Sequence, residues 1–331
     1  MSTKNFDKQL HEKIRKDFEK NKGQELINAY DQAKLQLEKD VYPNIRGAEP
    51  YYTDHGANHV SNVQENAIDL LSDDGIITYL SGIEMYCLGM FILFHDAGIV
   101  YGRKNHHKKV AKVFDVIRGT KTSLLREKTV VVRATGAHTG TAQDGSRDTL
   151  KELDEREHLE RRPVRLRELA AILRFADELA EGPQRTSAFM HAEGLYIPDS
   201  QKFHDYADIT HILIERGTNR IAITYEIKID VDQSNKVRRL HLSRLLKFVY
   251  KRIQKLNQER QYARYYSELL APFKSTHVTF NFHYGGDILA TDLLPIKLTD
   301  IVVPGDQTKD ISAIDPSYSI NELVDNLLAQ C

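Results

Sequence analysis

Apolar and polar residues follow helical spacing over most of the first 180 positions of the chain. Residues 5–40 carry apolar side chains four positions apart, which predicts one or two amphipathic helices. Pro43, Gly47 and Pro50 then interrupt the pattern and predict a break. Five further helices are predicted, at residues 59–70, 84–95, 110–117, 125–138 and 166–179.

Two stretches within this region depart from the amphipathic pattern. Residues 84–95 are apolar on almost every side, which predicts a helix buried at the centre of a bundle. Residues 141–163 contain almost no large apolar side chain and predict a surface excursion or lid between two helices.

Beyond about residue 190 the pattern changes. Residues 209–215 and 220–229 predict a hairpin, 278–282 predict another strand, and 236–270 predict a long helix between them. The predicted fold class is therefore mainly α, with a helical bundle followed by a smaller α+β domain.

The same patterns predict how the chain is organised. The predicted segments are an N-terminal helical segment (1–50), a helical domain (51–190), an α+β accessory domain (191–300) and a C-terminal tail (301–331). Within the tail, residues 303–318 predict loose structure and 320–328 a short helix.

Composition narrows the class of protein. Hydrophobic residues make up 41% and charged residues 28%, and the net charge is −1, which is ordinary for a soluble globular protein. The two cysteines imply no disulfide framework, and the charged N-terminus does not resemble a signal peptide. The longest apolar run, residues 85–94, is too short to cross a bilayer, so we expect a cytoplasmic protein without a membrane partner. A homo-oligomer is compatible with these features.

Candidate chemistry begins with His95 and Asp96, which end the apolar helix before Gly98. Burying such a polar pair is costly unless it is hydrogen-bonded or binds a metal. Other potential ligands recur at predicted helix ends or on inward faces: His59, His106, His107, His138 and Asp177. A second His–Asp dipeptide, His204–Asp205, follows no apolar helix, and we do not expect it to bind metal.

This ordered set resembles the HD superfamily of metal-dependent phosphohydrolases. The surrounding strings are similar to its HD-CE branch: YYTDHGANHVSNV, LGMFILFHDAGIV, NHHKKVAKVF, ATGAHTG and RLRELAAILRFADELAEGPQR. The resemblance covers roughly residues 50–190 well and the remainder loosely. It implies an HD-domain helical bundle followed by a modest α+β region.

The resemblance also implies a ligand set. His59, His95, Asp96 and Asp177 would hold a first metal, and in two-metal members Asp96 would bridge to a second ion held by His107 and His138. His107 is preferred to His106 because it shares a predicted helix face with Val110, Ala111 and Phe114. In a single-metal enzyme, His107 and His138 would instead bind substrate phosphate. His55 is expected to orient the site and not to ligate.

Imidazole and carboxylate ligands without a thiolate suit Mn, Fe, Co, Ni or Zn, and we expect two such divalent ions. Asp96, Lys108 and Arg185 are the predicted catalytic residues. The predicted substrate-binding residues are Lys108, Arg103, Arg185 and His106, which supply positive charge for an anionic transition state.

Residues 236–260 contain nine Lys or Arg residues and one acid, Glu259. A helix this unbalanced could contact nucleic acid, a nucleotide or an acidic partner. The alternative is a solvated face that acids elsewhere neutralise.

The function predicted is hydrolysis of a nucleotide or related phosphate ester by metal-activated water. Three alternatives stay open: an HD-type nuclease on single strands, a ligand-sensing module without turnover, and a mixed-valent diiron oxygenase.

Overall fold

The computed structural model describes residues 5–300 and 310–331, which divide into two compact units. The first contains Met1–Pro50, Asp54–Ala180 and Tyr262–Ala271. The second contains Tyr51–Thr53, Glu181–Gln261 and Pro272–Cys331. The predicted N-terminal segment thus groups with the helical domain, and part of the predicted loose segment, residues 303–309, lies outside the described residues.

Helices dominate the first unit. In chain order they are α1 (Phe6–Asp17), α2 (Lys20–Gln36), α3 (Tyr42–Ala48), α4 (Ala57–Leu71), α5 (Gly82–Phe94), α6 (Val110–Arg118), α7 (Leu125–Gly136) and α8 (Leu166–Glu178). Two short antiparallel hairpins accompany them: β1 (Ser72–Asp73) with β2 (Ile76–Ile77), and β3 (Glu157–Leu159) with β4 (Arg162–Val164).

Helix α5 is the centre of this unit, as its uniform apolarity predicts. Every residue of α5 is buried, and the helix packs against α1, α2, α4, α7 and α8. Gly89 permits a close approach, because a Cβ there would lie 2.8 Å from side-chain atoms of both Leu10 and Tyr30. Residues Gly82–Tyr101 are long and apolar enough to cross a membrane, but 94% of the apolar window is buried inside the protein, as in a core helix.

The predicted break comes later than Pro43, because the helical path continues through α3 to Ala48 and ends before Pro50. A π-helical turn, Leu37–Val41, joins α2 directly to α3, and Pro43 lies in the first turn of α3. Proline is tolerated there because the first turn of a helix leaves its backbone N–H groups without intrahelical partners.

The 141–163 segment is more closely packed than the sequence pattern predicts. It contains a 3₁₀ turn (Leu150–Glu152) and the β3–β4 hairpin. Leu150, Leu153 and Leu159 are buried, so these few apolar residues attach the segment to the unit.

The second unit contains α9 (Ala188–Ala192), α10 (Pro198–Ile209), β5 (Thr210–Glu215), β6 (Arg220–Ile229), α11 (Asn235–Tyr266), β7 (Ser275–Tyr284), β8 (Asp287–Ile288), β9 (Ile296–Thr299), α12 (Ile311–Ile314) and α13 (Ile320–Leu328). The last five residues of α11 belong to the first unit.

The sheet of the second unit has the order β5-β6-β7-β8, with β9 also paired to β7. Strands β5 and β6 form the predicted antiparallel hairpin, whereas β6 and β7 are parallel and α11 connects them. Alternate residues of β6 are buried, from Ile221 to Ile229, so one face of the strand packs into the core. The prediction of a mainly α fold with a smaller α+β part is confirmed.

A capping box holds the start of α5. The Ser81 hydroxyl accepts from the Glu84 backbone N–H, and the Glu84 carboxylate accepts from the Ser81 backbone N–H at 3.0 Å. Burial alone would raise the pKa of Glu84, but hydrogen bonds from Arg165 and Ser81 lower it below the ordinary value. The carboxylate therefore stabilises the fold at neutral pH, and that contribution is lost as the pH falls through the folded-state pKa.

We predict that Ser81→Ala lowers the free energy of unfolding by about 1 kcal/mol, the usual cost of losing an N-cap side chain. Urea unfolding followed by circular dichroism measures the change. Ser61→Ala is the matched control, because Ser61 is exposed inside α4 and the substitution there should be neutral or slightly stabilising. An equal loss in both variants would contradict the role of the cap.

Candidate metal centre

Two groups of potential metal ligands meet at the end of α5. His59, His95, Asp96 and Asp177 form the first group, and Asp96, His106 and His138 form the second. Within each group the potential ligand atoms lie within 4.8 Å of one another. The two groups share Asp96, so the structure brings together residues from five separate segments of the chain.

The first group draws on three helices. His59 lies in the first turn of α4, His95 and Asp96 follow α5, and Asp177 lies in the last turn of α8. His59 Nε2 is 3.1 Å from Asp177 Oδ1 and 3.3 Å from His95 Nε2. Ligands bound to one ion at about 2.1 Å lie about 3.4 Å apart in a tetrahedral arrangement, so these separations fit a shared cation.

Asp96 presents one oxygen to each group. Its Oδ2 is 3.4 Å from His95 Nε2, whereas its Oδ1 is 3.1 Å from His106 Nε2 and 3.6 Å from His138 Nε2. This is the arrangement that a bridging carboxylate requires, as the sequence resemblance implies for a two-metal centre.

Backbone carbonyls orient three of the histidines. The Nδ1–H groups of His95, His106 and His138 donate to the carbonyls of Ile92, Arg103 and Thr135, each three residues earlier. Since a carbonyl can only accept, Nδ1 carries the proton and Nε2 offers its lone pair to the cluster. His106 Nε2 is buried and makes no hydrogen bond within the described residues, which suits a metal ligand.

Electrostatics hold the cluster in a charged state. Burial alone would raise the pKa of Asp96, but the neighbouring imidazoles of His95, His55, His106 and His138 hold it well below the ordinary value. Burial alone would lower the pKa of His95, but Asp96 and Asp177 raise it well above normal. The pKa of Asp177 is also far below normal, because His59 and His95 overcome its burial. The carboxylates are therefore ionised, as metal ligands must be.

The second group contains His106 and not the predicted His107. Both residues lie in a 3₁₀ turn, His106–Lys109, that precedes α6. The turn approaches the end of α5 closely, because a Cβ on Gly98 would overlap the carbonyl of His106. The His107 ring instead faces Gly140, where a Cβ would lie 3.2 Å from His107 Cε1. We therefore assign the third histidine of the second group to His106.

His55 connects the cluster to a surface arginine. Its Nδ1–H donates to Asp96 Oδ2 at 2.7 Å, and its Nε2 accepts from Arg103 Nη1 at 3.0 Å. The orienting role expected for His55 has a hydrogen bond to support it. The sequence predicts that Arg103 binds substrate, and in the structure it also holds His55. Because a guanidinium can only donate, Nε2 of His55 accepts this bond and the proton lies on Nδ1.

The remaining cations that the sequence predicts for the site, Lys108 and Arg185, differ in burial. Lys108 is exposed, and its ammonium group has no hydrogen bond or ion pair within the described residues. Partial burial, and then the nearby His106, His138 and Lys108, lower the pKa of His107 below its ordinary value. Arg185 is buried in the second unit with Nη1 3.7 Å from Glu181 Oε2, and its catalytic role stays a prediction.

Sequence reasoning missed the residues that support the turn carrying His138. Arg174 Nη1 donates to the Ala137 carbonyl at 3.2 Å and to Thr149 Oγ1 at 2.9 Å, and its guanidinium lies 4.7 Å from the centre of the Tyr262 ring. Tyr262 also donates to Asp148 at 2.9 Å. These partners are 25 to 114 positions apart in sequence, so no local pattern could have identified them.

Comparison with known protein families gave one match. The HD-CE family model covers residues 49–255, which is more than half of the chain. Comparisons with curated proteins and with solved structures gave no significant match.

We predict that His106→Ala binds about one metal ion fewer per chain than the wild type, whereas His107→Ala retains the wild-type number, because only His106 has its ring nitrogen in the cluster. Elemental analysis of the purified variants after incubation with Mn²⁺ measures the ratio. If His107→Ala lost an ion and His106→Ala did not, the assignment would be reversed.

We predict that Arg103→Leu weakens metal binding about tenfold, because Arg103 holds His55, which in turn orients the ligand Asp96. This is the lower end of the about 10- to 100-fold cost of losing a group that orients a ligand directly. Isothermal titration with Mn²⁺ measures the affinity. Lys104→Leu is the matched control, since Lys104 is exposed and its side chain has no hydrogen bond or ion pair within the described residues. Equal affinities for the two variants would show that the bond to His55 has no effect on the metal.

Proposed function

The chain belongs to the HD-CE family, and from that premise we propose that its metal centre hydrolyses a phosphate ester, with a nucleotide or related ester as substrate. The family match and the buried histidine–aspartate cluster support the broader statement of an HD-type metal-dependent hydrolase. The observation that carries the proposal is the Asp96 carboxylate, whose two oxygens face two separate ligand groups.

The donor set suits a divalent transition metal. His59, His95, Asp96 and Asp177 would hold one ion, and Asp96, His106 and His138 a second. All the donors are imidazole or carboxylate, which suits Mn, Fe, Co, Ni or Zn. When bound, such ions lower the pKa of a water molecule and polarise a phosphoryl oxygen.

The chain's own residues have three tasks in this proposal. His59 and His95 are completely buried, so they exclude bulk water from one side of the site. His55 and Arg103 keep Asp96 oriented and ionised. The exposed ammonium group of Lys108 can attract an incoming phosphate through long-range electrostatics.

One set of assays tests the proposed hydrolysis and separates it from the alternative functions. Purified protein is analysed for metal content and then tested against nucleotides and a chromogenic phosphodiester with Mn²⁺ added. Phosphate ester cleavage supports the proposal. Iron content with oxygen uptake and no phosphate release would favour a diiron oxygenase, and metal-dependent ligand binding without turnover would favour a sensing module.

We predict that Asp96→Ala abolishes metal binding and hydrolysis together, because the substitution removes a ligand from both groups. Metal content and the hydrolysis rate are measured on the same preparation. His158→Ala is the control for loss of a polar side chain, because His158 is exposed on the β3 strand and belongs to neither ligand group. Full metal content and wild-type activity in Asp96→Ala would refute the site.

A further inference from the structure

Helix α11 has one buried face and one exposed face. Leu242, Leu246, Val249 and Ile253 are essentially inaccessible, as their helical spacing predicts. The exposed face does not take part in this packing, so packing does not determine which residues occur on it.

Eight of the ten lysine and arginine residues of α11 fall into two classes. Those of the first class pair within the second unit. They are Arg238 with the carbonyls of Asp230 and Val231, Arg239 with Asp325, Arg252 with Glu181, and Arg260 with Asp300. These contacts account for the arginines as structural residues.

Lys236, Arg244, Lys247 and Lys251 form the second class, here called the basic stripe. All four are exposed, and their side chains make no ion pair or hydrogen bond with any residue in 5–300 or 310–331. At about 100° per residue they lie within about 80° of arc, and at 1.5 Å per residue they extend over roughly 22 Å. Lys255, which the sequence pattern also includes, is half-buried and has other contacts, so it is outside the stripe.

The stripe has an unusual charge pattern for a solvated helix face. Such faces usually mix the two signs, which forms pairs four residues apart. Here no acid lies between Asn235 and Gln258, although the net charge of the whole chain is only −1. Four like charges in one row repel each other, and a polyanion with regularly spaced charges relieves that repulsion.

The side chains between the four cations limit how a polyanion could bind. Leu240 lies within the same arc and is 52% exposed, and no aromatic side chain lies on the stripe. Between residues 236 and 251 there is therefore no aromatic ring on this arc for base stacking, which leaves contacts to phosphate groups within the stripe. Binding through phosphates alone is independent of sequence and sensitive to salt.

We propose that the basic stripe binds the phosphate backbone of a nucleic acid. Four exposed cations in one row, with no acid among them in the sequence, provide contacts to successive phosphate groups. The further statement that this nucleic acid is the hydrolysed substrate rests on the proposed function.

The test measures binding of a fluorescein-labelled deoxythymidine 12-mer by anisotropy over a range of KCl concentrations, with a gel to verify that the strand stays intact. The stripe variant is Lys247→Glu with Lys251→Glu. The matched control is Lys16→Glu with Lys20→Glu, which changes the net charge equally at two exposed lysines of the first unit. Circular dichroism verifies that both proteins fold.

Loss of two phosphate contacts should reduce the log–log salt slope by about 1.4 and the affinity at 0.1 M salt by about 25-fold, since each contact contributes about 0.7. The control pair should bind as the wild type does. Should the charge reversals disturb folding, Lys236→Gln with Arg244→Gln gives the same slope change at the other end of the stripe.

Unchanged binding in the stripe variants, or an equal loss in the control pair, overturns the proposal. Binding to a duplex of the same length should depend on the stripe in the same way, because contacts to phosphate alone need no exposed bases. Duplex binding that the stripe variants leave unchanged would contradict binding through the backbone. Cleavage of small nucleotides is assayed separately. Binding that depends on the stripe, without cleavage of any nucleotide, would support the stripe proposal and contradict the proposed function. Cleavage of nucleotides without stripe-dependent binding would support the proposed function and contradict the stripe proposal.

Discussion

The carboxylate of Asp96 is the constraint on which the first unit depends. It is 6% exposed and follows a helix that is buried on every side. A carboxylate charge in such a place is stable only with compensating positive charge or hydrogen bonds. Imidazoles from α4, from the end of α5, and from the turns before α6 and after α7 surround this carboxylate. The positions of these helices must therefore bring the imidazoles within reach of one negative charge. A divalent cation would replace the protons that these rings otherwise hold.

Much of this arrangement could be predicted from sequence, because burial and periodicity are local signals. The uniform apolarity of residues 84–95 predicted the central helix, and the spacing of Asp177 from Leu173 predicted an inward position for a carboxylate that lies beside His59 in the structure. The order of the ligands along the chain identified the family before any contact was known. The hairpin β5–β6 and the long helix α11 followed from a change in the same pattern.

What could not be predicted depends on backbone geometry outside regular helices. The preference for His107 assumes that the α-helical face of Val110 continues towards the N-terminus. In the structure that segment is a 3₁₀ turn, and Asn105 before it lies in the left-handed region with φ 56°. A 3₁₀ turn rotates about 120° per residue instead of about 100°, so the extrapolated face shifts and His106 points into the cluster. The contacts of Arg103 and Tyr262 with distant partners were equally beyond a local pattern.

The second His–Asp dipeptide shows why position decides whether such a pair can bind metal. His204 and Asp205 lie inside α10, where consecutive side chains diverge by about 100°. His204 stacks on Tyr196 and bonds to Thr186 and the Tyr51 carbonyl, whereas Asp205 pairs with His191. His95 and Asp96 instead lie where α5 ends, and the backbone turns at Asp96, with φ −104° and ψ −2°. The change in backbone direction lets both side chains face one cluster, so the end of the helix, more than the dipeptide itself, makes the metal site.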